Sequence, residues 1–379
     1  MEIFVFSLSM LTFVFIYLLG TKGQGAFFIL VVAAMLLTMT PIGEINVNIA
    51  AILVIYLSTI IMKNKVYLTK RRMIYLVSYL FFLVSISLLS SLESVNELQA
   101  LGKAIKTFAI FLPLFFLYKN YYFSIKWLVI SFIISSLFFG FIIGYNFGYD
   151  RGVYNTPRFT GIFNDANYFA LISLILYHAC NGLFNNRFLK NTLIILIIMS
   201  QSFTVITVLI GYIFFDNLFD RWRNLKKYIP FLFCGFYLIV IYYISQNVEV
   251  SVFSDYNENP ISYKLNSVVF RISAQLQAMD MFIQSKSLFL TGYGSGQSVE
   301  LFGKVMHNVY MQMLFDNGVF FLILNLLVLS IALNSFNVST YMAMSIMACN
   351  FLFDTIFMMP FTFLCFLSYF SGSKVNRNE

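Results

Sequence analysis

The feature that most constrains this chain is a near-continuous series of apolar runs, each long enough to cross a lipid bilayer. Reading 379 residues for stretches of about 20 mainly apolar residues gives 3–20, 25–41, 47–62, 73–91, 105–118, 127–145, 167–183, 228–245 and 308–333. Two longer stretches divide in either of two ways. Residues 190–216 form one long helix, or two short ones broken at Ser200-Gln201-Ser202. Residues 338–371 form one, or two with Asp354 and Pro360 near the turn. The expected fold is an all-α polytopic membrane protein of about 11–13 spanning helices, organised as a single transmembrane domain over 1–379. Only 11% of the residues are charged, against about 25% in soluble proteins. Such a chain has too little polar surface to face water on every side.

Charge placement orients the runs. The net charge of +8 would raise the question of nucleic acid in a soluble protein; here, basic residues collecting in cytoplasmic loops explain it without one. With the loop Lys63–Arg72 set inside, alternation also brings Lys22, Lys119, Lys126, Arg187 and Lys190 inside. Arg221, Arg223, Lys226 and Lys227 join them only if 190–216 crosses twice, and Lys374 and Arg377 only if 338–371 does. With both splits, two thirds of the Lys and Arg residues lie inside, against only Asp216, Asp220 and Glu379. This asymmetry favours the upper span count, with the N-terminus outside and the C-terminus inside. Met1-Glu2-Ile3 has no basic n-region, so the first run is expected to remain as a helix. Cys180, Cys234, Cys349 and Cys365 each fall in an apolar run without metal-type spacing, and read as buried free thiols.

Two outer connections are long: 146–166 and, above all, 246–306. The second is expected to be a large periplasmic loop. Within it, Leu265, Val268, Val269, Ile272, Leu276, Met279 and Ile283 recur at spacings of three and four, which predicts an amphipathic helix over 264–283 lying on the membrane or capping a cavity. The glycine-rich turn Thr291–Gly296 follows. It lacks the strand and βαβ unit a nucleotide fingerprint requires.

Three constellations carry possible chemistry. Arg158-Phe159-Thr160-Gly161-Ile162-Phe163-Asn164-Asp165-Ala166-Asn167 precedes an apolar helix. It reads equally as a solvated loop with Asn164 or Asp165 as helix cap, or as a site where Arg158 meets a phosphate through charge-assisted hydrogen bonds. Arg271 lies on the amphipathic helix with Gln275 one turn later; it is either a headgroup-level arginine or a second phosphate ligand. His307, in Met306-His307-Asn308-Val309-Tyr310, sits where the long loop enters the next helix, and an imidazole there can exchange a proton near neutral pH. His178, inside an apolar helix beside Tyr177, reads as a packing residue. There is no metal-type His, Asp or Cys pattern, and neither a metal nor another cofactor is expected.

Arg158, Gly161, Phe163 and Asn167 (R-x-x-G-x-F-x-x-x-N), then Leu290–Gly296, then His307, Asn308, Tyr310, Leu314 and Gly318 (HN-x-Y-x-x-x-L-x-x-x-G) together resemble the O-antigen polymerase and O-antigen ligase superfamily over about residues 120–335. The resemblance implies a metal-independent glycosyltransferase of lipopolysaccharide biosynthesis, working on the periplasmic face of a bacterial inner membrane with an undecaprenyl-pyrophosphate-linked donor. It further implies that Arg158 and Arg271 stabilise the departing pyrophosphate and that His307 orients or deprotonates the acceptor hydroxyl. Asp165 is a second candidate base. Asn164, Asp165, Asn167, Gln275, Tyr293, Asn308 and Tyr310 would contact the substrate. The implied partners are the lipid-linked oligosaccharide, membrane lipid and a chain-length regulator. One departure stands out: relatives carry a Ser-Arg pair in a short outer turn, where this chain has Ser200-Gln201-Ser202-Phe203-Thr204 without arginine. Polymerase is favoured over ligase, and a flippase for lipid-linked sugars is the alternative of another class; that reading expects charged or broken helices at the membrane midplane.

Overall fold

The computed structural model describes residues 2–37, 70–91, 97–115, 123–140, 149–151, 157–163, 165–183, 186–247, 260–294, 297–302, 306–336, 338–351 and 359–371. In chain order the helices are α1 (Glu2–Gly20), α2 (Ala26–Leu37), α3 (Lys70–Ser91), α4 (Glu97–Phe115), α5 (Ile125–Phe138), α6 (Ala166–Leu183), α7 (Arg187–Met199), α8 (Phe203–Phe219), a 3-10 segment (Asp220–Tyr228), α9 (Ile229–Asn247), α10 (Pro260–Gln284), α11 (Lys286–Thr291), α12 (Gln297–Phe302), α13 (Val309–Ser335), α14 (Thr340–Cys349) and α15 (Met359–Ser371). The all-α expectation holds but for one antiparallel ribbon, β1 (Tyr149–Arg151) with β2 (Pro157–Phe159), inside the stretch read as a loop. The expected run 47–62 lies outside the described residues.

Helix starts follow the capping chemistry of the sequence. Ser124, Asn186, Asn308 and Ser339 each accept a backbone N–H three residues on, at the N-termini of α5, α7, α13 and α14. Each satisfies a donor that the first helical turn leaves over.

Burial sorts the helices. In α6 and α15 the side chains are buried nearly all round, for example Leu171, Ile172, Leu174 and Ile175 in α6 and Phe361, Phe363, Leu364 and Phe366 in α15. These two helices pack against each other within the core. In contrast, α1, α3, α8 and α9 expose large apolar residues: Leu11, Phe15, Phe81, Phe214, Phe236 and Ile239 are more than half exposed. A helix exposing this much apolar surface is matched to lipid. Met73–Ser90, Arg221–Asn247 and Val309–Ser335 are long and apolar enough to cross a membrane, and several shorter apolar helices accompany them.

Both ambiguous stretches reverse direction. Asn167 at the start of α6 meets Ser202 at the start of α8, and Tyr212, farther along α8, meets His178 near the end of α6. Lys190 at the start of α7 meets Asn181 at the end of α6. Hence α7 runs antiparallel to both neighbours, with the turn at Ser200-Gln201-Ser202, and Gln201 takes the positive φ of 52°. Likewise Ser339 meets Asp216 at the end of α8, while Asn350, past the end of α14, meets Val309 at the start of α13. In α15, Tyr369 returns to Phe336, at the end of α13. Each stretch is therefore two short helices rather than one.

These contacts define two ends of the bundle. One holds the α1–α2 turn, the start of α5, the α6–α7 turn, the 3-10 segment and the end of α13. They are linked by Tyr17 with Ser124, Phe123 with Phe28 and Phe370, Tyr369 with Phe336 and Lys226 with the Phe336 carbonyl. It carries Lys22, Lys126, Arg187, Lys190, Arg221, Arg223, Lys226 and Lys227. The opposite end gathers β2, the α7–α8 turn and the segment entering α13.

Within the stretch read as a large loop over 246–306, helices α10, α11 and α12 account for most of the described residues. Helix α10 covers the predicted amphipathic stretch, burying Leu276 and Met279, together with Ala274, Ala278 and Phe282, while Gln277 and Asp280 face outward. Ile283, expected on the apolar stripe, is exposed. Beyond α10, α11 and the turn Gly292–Gly294 pack into the bundle against α13.

Candidate functional site

The candidate site lies at the end opposite the basic cluster and consists of two polar groups of residues. The first is built around Arg158. In β2 side chains alternate in direction: Phe159 is fully buried against Phe169, with ring centroids 5.1 Å apart, and Arg158, half-buried, turns to the α7–α8 turn. Its Nε donates to the Ser200 carbonyl at 3.1 Å and a terminal guanidinium nitrogen to Asn167 Oδ1 at 3.1 Å. Ser202 Oγ donates to the same Asn167 oxygen at 2.9 Å. Asp165 Oδ1 accepts the backbone N–H groups of Asn167 at 2.6 Å and Tyr168 at 3.2 Å, so its carboxylate acts as the α6 N-cap. Thr160 Oγ1 and Ser136 Oγ are buried nearby without a hydrogen-bond partner among the described residues. Asn164 lies outside the described residues.

The second group surrounds His307. This residue takes a left-handed φ of 50°, uncommon outside glycine although histidine tolerates it better than most. Its neighbours hold it there. The Met306 carbonyl accepts from Gln275 Nε2 at 2.9 Å, and the Met306 N–H donates to Gln312 Oε1 at 3.4 Å. Gln275 is 3% exposed, and its Oε1 accepts from Tyr237 Oη at 2.9 Å. Asn308 is the N-cap of α13: its Oδ1 accepts from Met311 N at 2.9 Å and its Nδ2 donates to the Phe351 carbonyl at 3.2 Å. Val309 N donates to the Asn350 carbonyl at 3.0 Å. Strain in one residue persists when its surroundings over-determine it, a condition common at functional sites.

The polar network continues down one face of α13. Gln312 Nε2 donates to Ser298 Oγ and Asp316 Oδ1, both at 2.9 Å, and Asn317 Nδ2 donates to Ser90 Oγ of α3 at 3.0 Å. Below Asp316, α13 breaks at Gly318, with φ 77° and ψ 176°. The break removes helical partners from the preceding carbonyls. The glycine-rich turn replaces them: Tyr293 N donates to the Phe315 carbonyl at 2.7 Å and Gly294 N to the Asp316 carbonyl at 3.1 Å. Close approach requires glycine on both sides. A Cβ on Gly292 would lie 2.6 Å from the Asn317 nitrogen, and one on Gly318 2.1 Å from the Leu290 oxygen.

The structure thus brings Gln275, Met306, His307 and Asn308 together, and separately Arg158, Asp165 and Asn167. Arg271 is half-buried one turn before Gln275 on α10. Four residues expected to contact substrate have their polar atoms directed into packing: Gln275 and Asn308, whose side-chain bonds are given above, and Tyr310 and Tyr293. Tyr310 is fully buried, its hydroxyl donating to the Met347 carbonyl at 2.9 Å. Tyr293 stacks on Phe315, centroids 4.5 Å apart and 9° from parallel, and its hydroxyl donates to the Met281 carbonyl at 3.1 Å. His178 Nδ1 is 2.8 Å from Tyr212 Oη near the basic end, a packing contact as read from sequence. The four cysteines are all buried and free.

Sequence reasoning missed Gln312, Asp316, Asn317, Ser298 and Ser90. A signal was present: Asn308, Gln312 and Asp316 recur every four residues into a mainly apolar helix, and polar residues there are costly unless they serve a function. Ser90 and Ser298 gave none, because only the folded chain brings them to α13.

These features define a class, a polytopic helical membrane protein with a buried polar site at one end of its bundle. Comparison with known proteins takes the assignment no further: no protein-family model, curated protein or solved structure matches the chain.

Proposed function

We propose that the protein is a polysaccharide polymerase that transfers a glycan from undecaprenyl pyrophosphate to a lipid-linked repeat unit, on the outer face of a bacterial inner membrane. The observation that carries this reading is the placement of Arg158 and His307 at one end of the bundle, opposite the end that holds Arg223, Lys226 and Lys227. Basic residues collect on the cytoplasmic side, so the opposite end faces outward. A lipid-linked diphosphate would lie there at headgroup level.

In this reading the bundle crosses the membrane about thirteen times, counting the two reversals and the runs in the sequence. Arg158 binds the pyrophosphate, and its present acceptors, the Ser200 carbonyl and Asn167 Oδ1, keep the guanidinium oriented before substrate arrives. Arg271 adds a second positive charge. As the glycosidic C–O bond to the pyrophosphate breaks, both guanidiniums stabilise the negative charge that develops on the leaving group. The acceptor sugar hydroxyl attacks the anomeric carbon, and His307 takes its proton. The buried partners of Met306 and Asn308 fix the imidazole's backbone and reduce reorganisation. Asp165 is engaged as a helix cap, which favours His307 as base. Ligation to a lipid A core uses the same donor chemistry and differs only in the acceptor.

The break in α13 favours a second reading, since transporters place discontinuous helices at their substrate sites. In this chain, however, the Phe315 and Asp316 carbonyls at the break are taken by Tyr293 and Gly294, whereas a transport site would offer them to its cargo.

Arg158→Ala, Arg271→Ala and His307→Ala are each expected to abolish long-chain glycan while the protein remains in the membrane. Wild-type glycan ladders from all three variants would refute the assignment. Movement of lipid-linked oligosaccharide across vesicles without chain growth would establish the transporter instead.

A further inference from the structure

At the basic end of the bundle the 3-10 segment 220–228 forms one wall of a cleft of about 470 Å³, lined by Arg223, Asn224, Lys226, Lys227, Asn334 and Ser335. The proposed glycan chemistry at the opposite end makes no use of this cleft. Its volume lies within the range of about 300–1,000 Å³ typical of ligand sites.

The segment is kinked at Trp222, with φ −97° and ψ 19°. Its apolar residues Trp222, Leu225 and Tyr228 are 56%, 50% and 49% exposed, and exposed aromatic residues of this kind are found at membrane–water interfaces. Arg223, Asn224, Lys226 and Lys227 line the cleft, and Lys227 Nζ lies 4.9 Å from the centroid of the Tyr228 ring. Two hydrogen bonds fix the wall to the end of α13: Lys226 Nζ donates to the Phe336 carbonyl at 2.9 Å, and Ser330 Oγ donates to the Lys227 carbonyl. Lys226 is 7% exposed, so its charge belongs to the cleft wall rather than to bulk water. Three cations and no carboxylate line the space.

We infer that this cleft binds the phosphate headgroup of an anionic phospholipid. The charge of the lining selects an anion, and the exposed Trp222, Leu225 and Tyr228 of the same segment supply apolar contact for the acyl region of a molecule entering from the bilayer. Basic recesses between membrane helices on the cytoplasmic side bind anionic lipid headgroups by this combination. The inference rests on placement of the bundle in a membrane and is independent of the glycosyltransferase proposal.

The test uses the full chain in nanodiscs of phosphatidylcholine alone or with phosphatidylglycerol, measuring the lipid retained on purification by native mass spectrometry and the thermal midpoint in each disc. Wild-type protein is expected to retain phosphatidylglycerol over phosphatidylcholine and to melt higher in the mixed disc. Arg223→Gln with Lys227→Gln removes two of the three lining charges and should reduce that preference about 10- to 30-fold; because Lys227 also contacts the Tyr228 ring, the readout is the preference of each protein between the two discs rather than its midpoint in pure phosphatidylcholine. Lys226 is left intact because it caps α13. An undiminished preference in the double variant would overturn the site. Stabilisation by inorganic phosphate in pure phosphatidylcholine discs, equal to that by phosphatidylglycerol, would overturn the lipid assignment in favour of a soluble phosphate.

Discussion

Gly318→Ala tests the way the polar site opposite the basic end of the bundle is assembled. With φ 77° and ψ 176°, Gly318 occupies a backbone region that is essentially restricted to glycine, where another residue costs about 1–3 kcal/mol. The added Cβ would also lie 2.1 Å from the Leu290 oxygen and 2.7 Å from the Thr291 carbonyl carbon. These are backbone atoms, so α11 and the turn after it must move away. That movement breaks the bonds from Tyr293 and Gly294 to the Phe315 and Asp316 carbonyls, at about 1 kcal/mol net each. The total is about 3–5 kcal/mol. At about 2 °C per kcal/mol for a large chain, Tm in detergent should fall by about 6–10 °C. Gly23→Ala is the control: Gly23 also has positive φ, 79°, but nothing lies within 4 Å of its would-be Cβ. Left-handed strain alone costs it about 1–2 kcal/mol, hence about 2–4 °C. Equal Tm values for the two variants would refute the claim that Gly318 is required for close packing of the turn on α13.

Other outcomes follow from the same geometry. Gln275→Leu leaves the Tyr237 hydroxyl and the Met306 carbonyl buried without Gln275; it should destabilise by about 2–4 kcal/mol, measured by thermal unfolding, and reduce glycan synthesis in proportion more than the fold is lost. Asn167→Ala removes the side-chain acceptor of Arg158 while the Ser200 carbonyl remains, so glycan synthesis should fall about tenfold or more with the protein still folded. Native protein should resist maleimide labelling at Cys180, Cys234, Cys349 and Cys365, and denaturant should expose all four; rapid labelling of the native state would contradict their burial.

Legibility in the sequence followed the range of the interactions involved. The α10 helix was readable because Leu276 and Met279 belong to a local period of three and four. The two reversals were readable from charge: only a double crossing brings Arg223 and Lys226 to the side of Lys22, and the contacts of Lys226 and Phe123 bear out the grouping at one end. The Arg158 environment was half legible. Asp165 as helix cap is a local matter, but the Ser200 carbonyl is 42 residues away, and the stretch 200–202 is legible in the sequence as a helix break, not as a partner of Arg158. Gly318 was visible as a motif position, yet its purpose depends on Leu290 and Tyr293, whose return onto α13 no local pattern in 246–306 announces. Tyr310 was misleading for a related reason. A tyrosine after His-Asn looks available at the start of a helix, whereas α14 packs over it and takes its hydroxyl at the Met347 carbonyl.

The central claim is that the Arg158 and His307 groups serve glycosyl transfer. Its most direct measurement is incubation of purified protein with undecaprenyl-pyrophosphate-linked repeat units as both donor and acceptor. The account predicts chain growth without nucleotide sugar or added lipid A core, and its loss in Arg158→Ala and His307→Ala. Absence of growth with folded wild-type protein, or equal growth with either variant, would contradict it.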